Sequence, residues 1–399
     1  MSQQIKIPCT VMRGGTSKGL FFHEADLPGD RELCDRILLA GMGSPDPRQI
    51  DGLGGSYSTT SKVAIIGPGQ RPGIDVNYTF AQVSVVAPLV DYKGNCGNIS
   101  SAVGPFAIDE GLVKAEEPIT KVRILNTNTD KVIEAEAPVV DGQAAVEGDC
   151  RIAGVPGTGA CVRLGFVDPG GSVTGKLLPT GRARDVLVVP GLGEFEASLV
   201  DAGNPAVFVR AKDVGLKATE TPEELDAIPG MLDRLERIRS VATVMLGLVE
   251  DAARATELSP AIPKIAVVAP PTTYREVSGA AIRAEDIDLV ARIMSLQRTH
   301  RAYALTGAIA TAAAAGIAGT IVAEALGQSA GTGTSRQFRL GHPAGVMALE
   351  VVTAQTNGPI QLLKVIAERT ARRLMEGYVY VPKRVWAGAK APAEVTARP

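Results

Sequence analysis

The sequence predicts an α+β protein of two pseudo-symmetric halves, each a sheet of short strands wrapped around one buried helix, with a cleft between them. Three observations carry that prediction. Stretches of small apolar residues with helical character occur twice, from 99 to 111 and from 308 to 323, and each follows a polar loop, GNCGN at 94–98 and RAYALTG at 301–307. Between them the chain breaks into β-branched runs separated by turns, in keeping with 44 Gly and 26 Pro among 399 residues. At this length, with 45% hydrophobic residues, it can bury a large core and favours two domains over one.

Taken in order, Lys6–Arg13 reads as a first strand, Glu24–Ala40 as an amphipathic helix, and 41–62 as a long Gly/Pro/Ser-rich loop leading into an apolar strand at Val63–Ile66. Asp75–Val86 is strand-like, and the stretch Asp91–Gly111 holds the first buried helix, with Gly111 placed to end it. Val122–Ile133, Ala137–Val146 and Arg151–Ile152 continue as strands, with a turn at Asp141-Gly142. Leu178–Gly193 is a Pro/Gly-rich crossover, which places the domains at 1–184 and 185–382 with a disordered tail at 383–399. In the second half, Asp185–Val189, Glu194–Val200, Ala206–Arg210 and Lys264–Ala269 read as strands. Pro222–Ile228, Met231–Leu248, Glu285–Met294, Ala308–Ala323 and Gln361–Glu376 read as helices, before a last strand at Tyr378–Pro382.

Composition narrows the function. A formal charge of −2 offers nucleic acid no basic face, and 4% aromatic residues provide few stacking platforms. Ala302–Ala323 is better read as a core helix than as a membrane span. MSQQIKIPCT has no signal-peptide core, and five cysteines without a CxxC pair point away from a disulfide framework, so the expected compartment is the cytoplasm. Three scattered histidines give no metal site. Monomer and homo-oligomer both stay open.

The residues with chemistry cluster at loops. Arg13-Gly14-Gly15-Thr16-Ser17-Lys18-Gly19 offers backbone N–H groups, hydroxyls and cations at close quarters and could hold an anion, although it lacks P-loop spacing. Lys62 stands where a polar loop meets an apolar strand, and a partly desolvated lysine there can serve as a base; an ordinary surface lysine fits the same position. Cys96 precedes a helix whose N-terminus favours a thiolate or a bound carboxylate, yet it equally reads as a small residue at a tight turn. Thr306-Gly307 repeats the arrangement before the second helix, so both dipoles could converge on one anion.

The blocks MRGGTSKG (12–19), GSPDPRQIDGLGG (43–55), TSK (60–62), GNCGN (94–98), AVGPFAI (102–108), LPTG (178–181), SG (278–279) and GHPAG (341–345) together resemble the PrpF family, over nearly the whole chain to about residue 382. That family includes 2-methylaconitate isomerase, 3-methylitaconate delta-isomerase and oxalomesaconate tautomerase, and VDYKGNCGNIS, NTNT, GVPGT, TETPE and AYALTG resemble the second of these most. The resemblance implies a diaminopimelate-epimerase-like fold with its active site between the domains. It implies a cofactor-independent isomerase that moves a double bond in a small unsaturated di- or tricarboxylate. Lys62 and Cys96 would then transfer the proton. Substrate would meet Arg13, Gly15, Thr16, Ser17, Ser61, Asn95, Gly97, Asn98, Asn204, Ser278, Gly279, Arg301, Thr306, Gly307 and His342. Gly203-Asn204-Pro205 resembles the epimerases' Gly-Asn-Pro element, while Thr306 stands where their second cysteine is expected, which argues against a two-thiol racemase. A reading from another class is an accessory protein of an aconitase-type dehydratase.

Overall fold

The computed structural model describes residues 2–327, 335–354 and 361–386. The tail expected after Trp386 lies outside them. The first half comprises β1 (Gln4–Gly14), β2 (Ser17–His23), α1 (Arg31–Met42), β3 (Lys62–Pro68), β4 (Val76–Val83), β5 (Val90–Asp91), α2 (Gly97–Asp109), β6 (Ile119–Asn126), β7 (Lys131–Val140), β8 (Gln143–Ala144) and β9 (Val162–Val167). Next come β10 (Asp185–Val189), β11 (Gly193–Ala202), β12 (Asn204–Arg210), α3 (Pro222–Ala227), α4 (Met231–Met245), α5 (Ala255–Leu258), β13 (Lys264–Ala269), β14 (Tyr274–Arg275), β15 (Ala281–Ile282), β16 (Leu289–Ser295) and β17 (Arg298–Thr299). The chain closes with α6 (Leu305–Ala315), α7 (Ile321–Leu326), β18 (Ser335–His342), β19 (Gly345–Ala354), β20 (Gln361–Arg369) and β21 (Ala371–Pro382).

Strand pairing repeats along the chain. From β1 through β2, β3, β4, β6 and β7 to β9 the pairings run antiparallel, parallel, antiparallel, parallel, antiparallel, antiparallel. From β11 through β12, β13, β16, β18 and β19 to β20 they run in the same sequence of senses. β9 and β20 pair with each other and join the two runs into one sheet. At the far ends β10 lies antiparallel to β11, and β21, a strand the sequence allots to the second half, lies antiparallel to β1.

Helix α2 packs against strands of the first run and α6 against β11, β12, β19 and β20. Helix α2 is not an intrinsically strong helix, since it carries Gly104, Val103 and Pro105, whose ring removes a backbone donor from the ladder, whereas α6 is rich in alanine, a strong helix former. What stabilises them is burial on every side, including all eleven residues of α6, as expected for a helix with no polar face. Ile99, Val103 and Phe106 share one continuous core with Leu305, Ala308 and Ile309. A second core packs α4 against β10–β13, and a third packs α1 against β1, β3 and β21.

Several expectations are corrected. Glu285–Met294 is not a helix, since Leu289–Ser295 forms the central strand β16. Leu289, Ala291 and Ile293 enter one core while Val290 and Met294 enter another, so a two-sided burial reads in sequence as an unbroken apolar run. Gln361–Glu376 is two strands, not a helix: pairing with β9 and β19 overrides the helix propensity of its Leu, Lys, Glu and Arg content. Arg151–Ile152 forms no strand beyond a single bridge, Cys150 to Gly159. The helix expected at 308–323 stops at Ala315, and a new one begins at its Thr320 cap, whose side chain accepts from Ala323 N. The helix expected from Glu24 begins at Arg31, capped by Asp30.

Candidate functional site

Two strand ends and two helix N-termini meet at one pocket. Lys62 heads β3, opposite Gly19 on β2 and Gln82 on β4. Its side chain is 6% exposed; Nζ donates to Gln82 Oε1 at 2.8 Å and lies 5.1 Å from the centre of the Phe80 ring. The Gln82 amide is held in that orientation because its Nε2 donates to the carbonyls of Ser58 and Ser61. Cys96 is the N-cap of α2, 9% exposed, and its thiol makes no capping bond. Ser17, Asn95, Gly97, Asn98, Asn204, Leu305 and Thr306 complete the wall around Lys62 and Cys96, with Asp91, Lys264, Ser295 and His300. The first N–H groups of a helix have no partner within it, and here those of α2 and α6 lie beside one cavity.

Asn204 ties the two helix ends together. Its Oδ1 accepts from Asn95 N at 2.9 Å, and its Nδ2 donates to Asn95 O at 2.8 Å and Thr306 Oγ1 at 3.1 Å. The ends are so close that a Cβ on Gly97 would stand 3.0 Å from Leu305. Gly15 turns the β1–β2 hairpin at φ +51°, and a Cβ there would fall 2.4 Å from Asn98 Oδ1. Asn98 Oδ1 and Ser17 Oγ are buried without a hydrogen-bond partner.

The pocket is cationic. Burial, then the charge of Lys62, lowers Lys264 to about 8, against a partial counter-effect from Cys96 and Asp91. Burial and the same two lysines press His300 down to about 3, so its imidazole is neutral; its Nδ1 accepts from Ala302 N at 3.0 Å. Among the described residues, Cys150, Cys161 and Glu368 alone have metal-ligand spacing, with ligand atoms within 4.8 Å of one another. They lie outside this pocket, and burial first, then Cys150 and Glu368, push the Cys161 thiol up to about 12.

The structure separates the other sequence candidates. Thr16 and His342 line a second cavity rather than this one. Arg13 donates to the carbonyls of Gly15 and Thr370 and props the hairpin. Ser61 is bonded to Val83 O and Gln49, and Gly307 lies inside the first turn of α6 against Ile293. Arg301 pairs with Glu223 and stacks over Tyr57 at the surface. Ser278 bonds to Glu276 in an exposed turn with Gly279. Thr306 is the second residue of α6, whereas Cys96 caps α2, so the two do not occupy the same step of their helices.

Lys264, Gln82, Asp91 and His300 were not singled out by the sequence reading. A signal for Lys264 was present: KVAII at 62–66 and KIAVV at 264–268 are the same strand in two copies. Gln82 and Asp91 carried none, because they reach the pocket through pairing across β4.

Residues 4–382 match the PrpF protein family model. The chain belongs to the PrpF family. Among curated PrpF-type relatives, it is 51% identical to 3-methylitaconate isomerase of Eubacterium barkeri, over 96% of this chain and 99% of that one. It is 41% identical to 2-methyl-aconitate isomerase of Shewanella oneidensis, over 95% and 98%. A crystal structure of methylitaconate-delta-isomerase superposes with a TM-score of 0.75 at 49% identity, covering 98% of this chain and 100% of that one. A hydroxyproline epimerase of Agrobacterium vitis shares the fold alone, with a TM-score of 0.50 at 14% identity over 96% and 97%. This PrpF protein is an isomerase with a mixed α/β, mostly stranded fold. No helix among its described residues is long and apolar enough to cross a membrane.

Proposed function

We propose that this protein moves a double bond in a small unsaturated di- or tricarboxylate by 1,3-allylic proton transfer, most like its relative named 3-methylitaconate isomerase. The observation that carries the reading is that Lys62 and Cys96 share one pocket with the N-termini of α2 and α6. The repeat of pairings supports a diaminopimelate-epimerase-like pair of pseudo-symmetric domains, with the substrate in the cleft between them.

In this reading the amine of Lys62 takes a proton from the carbon beside the double bond. The electron pair delocalises over the allylic system into a carboxylate, whose oxygens face the helix N-termini and the unpartnered Ser17 hydroxyl. Protonated Lys62, or the Cys96 thiol, returns a proton to the far carbon, and the double bond has moved. Returning it to the same carbon after rotation gives the cis–trans isomerisation suggested by the relative named 2-methyl-aconitate isomerase. The free volume is about 30 Å³, room for a water or two.

Proton NMR in D2O with 3-methylitaconate, 2-methyl-cis-aconitate, cis-aconitate and oxalomesaconate tests the proposal. Deuterium entering an allylic carbon as the double bond migrates supports it. A folded sample inert toward all four would favour the accessory-protein reading.

A further inference from the structure

We infer that the protein carries a second anion site, a cavity of about 220 Å³ in which Arg369, His342 and Thr16 bind a small dicarboxylate. Neither Lys62 nor Cys96 lines it, so the inference stands apart from the proposed catalytic chemistry.

Two donors in its wall lack acceptors, and a buried cation beside them lacks a counter-ion. Arg369, on β20, is 4% exposed, yet its guanidinium donates only to the neighbouring Glu368 carbonyl at 2.7 Å and contacts Met347 Sδ; no carboxylate pairs with it among the described residues. Burial lowers it to about 10, which still leaves it charged at neutral pH. A buried cation without a counter-ion is costly, and buried polar groups are rarely left unpaired. His342 is 1% exposed; its Nδ1 accepts from Ala344 N at 3.2 Å, which puts the ring hydrogen on Nε2, and Nε2 has no partner. Thr16 Oγ1 is likewise buried and unpartnered.

The carboxylates nearby are engaged elsewhere. Glu350 accepts from Arg163 at 2.9 Å and from Ser335, and Glu368 sits with the thiols of Cys150 and Cys161. The groups acting on His342, namely Arg369, Arg292 and His300, add no negative charge. A carboxylate supplies what is missing, two acceptor oxygens in the plane of the guanidinium fork. Arg151, in the same wall, gives a second carboxylate its partner. The occupant would touch Thr16, whose neighbour Ser17 faces the Lys62 pocket across the hairpin turn.

Malonate is the probe. Calorimetric titration is expected to show binding to the unaltered protein and to Lys62→Ala, weakened roughly 10–100-fold in Arg369→Met. Malonate-soaked crystals should show density within hydrogen-bond distance of Arg369, His342 Nε2 and Thr16. If Arg369→Met does not fold, Thr16→Val and the soak decide. Binding abolished by Lys62→Ala but untouched by Arg369→Met, or a cavity holding only water at saturating malonate, overturns the inference. Adding 3-methylitaconate to malonate-loaded Lys62→Ala separates two sources of the anion: co-binding supports a separate site, and displacement, which would make the cavity the seat of the substrate's own far carboxylate, overturns it.

Discussion

Lys62 and Lys264 stand at the same step of two matching strand pairs, opposite Gly19 and Ala206, and both side chains line one pocket. The same register places Ser17 and Asn204 at the start of the neighbouring strands. The pocket therefore draws equivalent positions from both halves but fills them unequally, with Gln82 beside Lys62 and Ser295 in the wall near Lys264.

Replacing Lys62 with alanine is expected to lower kcat by about 10²–10⁴-fold, the contribution of a positioned acid–base group. A Lys62→Ala enzyme with near-normal turnover would sink its assignment.

Cys96→Ser tests whether the thiol moves a proton. Serine keeps the size of an N-cap residue that is 9% exposed, so packing survives the change. A loss of two orders of magnitude or more in kcat assigns proton transfer; a change below about fivefold leaves Cys96 shaping the loop.

Asn204→Ala breaks three hydrogen bonds between the ends of α2 and α6 and leaves Asn95 N and O buried. The expected cost is about 2–4 kcal/mol of stability, read from urea unfolding, together with a loss of kcat at near-normal KM. Unchanged unfolding would show that packing of Gly97 on Leu305 holds the ends without it.

His300 makes the fold acid-sensitive. Its pKa is lowered to about 3 from 6.5, so between those values the unfolded chain binds a proton that the native state does not, and stability falls as pH drops. The full effect, reached only below about pH 3, is of the order of 5 kcal/mol. His300→Gln should flatten the dependence of Tm on pH from 6 to 4, and an equally steep curve would contradict it.

Local signals in the sequence reached the two buried helices, the loops before them and the strands at Lys62 and Lys264, because turn residues and small-residue runs act over a few positions. They failed at Leu289–Ser295 and Gln361–Arg369, where neighbours distant in sequence decide the conformation. Lys62, Cys96, Asn98 and Thr306 line one pocket, whereas Arg301 and Ser278 stay at the surface. Those two were chosen for residue type, and an arginine or serine in a loop carries no record of which way it faces.

Strand β21 lies along β1 from Gln4 opposite Pro382 to Gly14 opposite Ala371. On the ribosome, Lys62 and Cys96 emerge long before the strand that covers that edge. At ordinary translation speed the nascent chain carries an open β1 for tens of seconds. Such an edge is a template for pairing with other chains. Maturation of the pocket is thus tied to near-complete synthesis, and a chain stopped short of Ala371 is expected to be an aggregation hazard rather than a half-active enzyme.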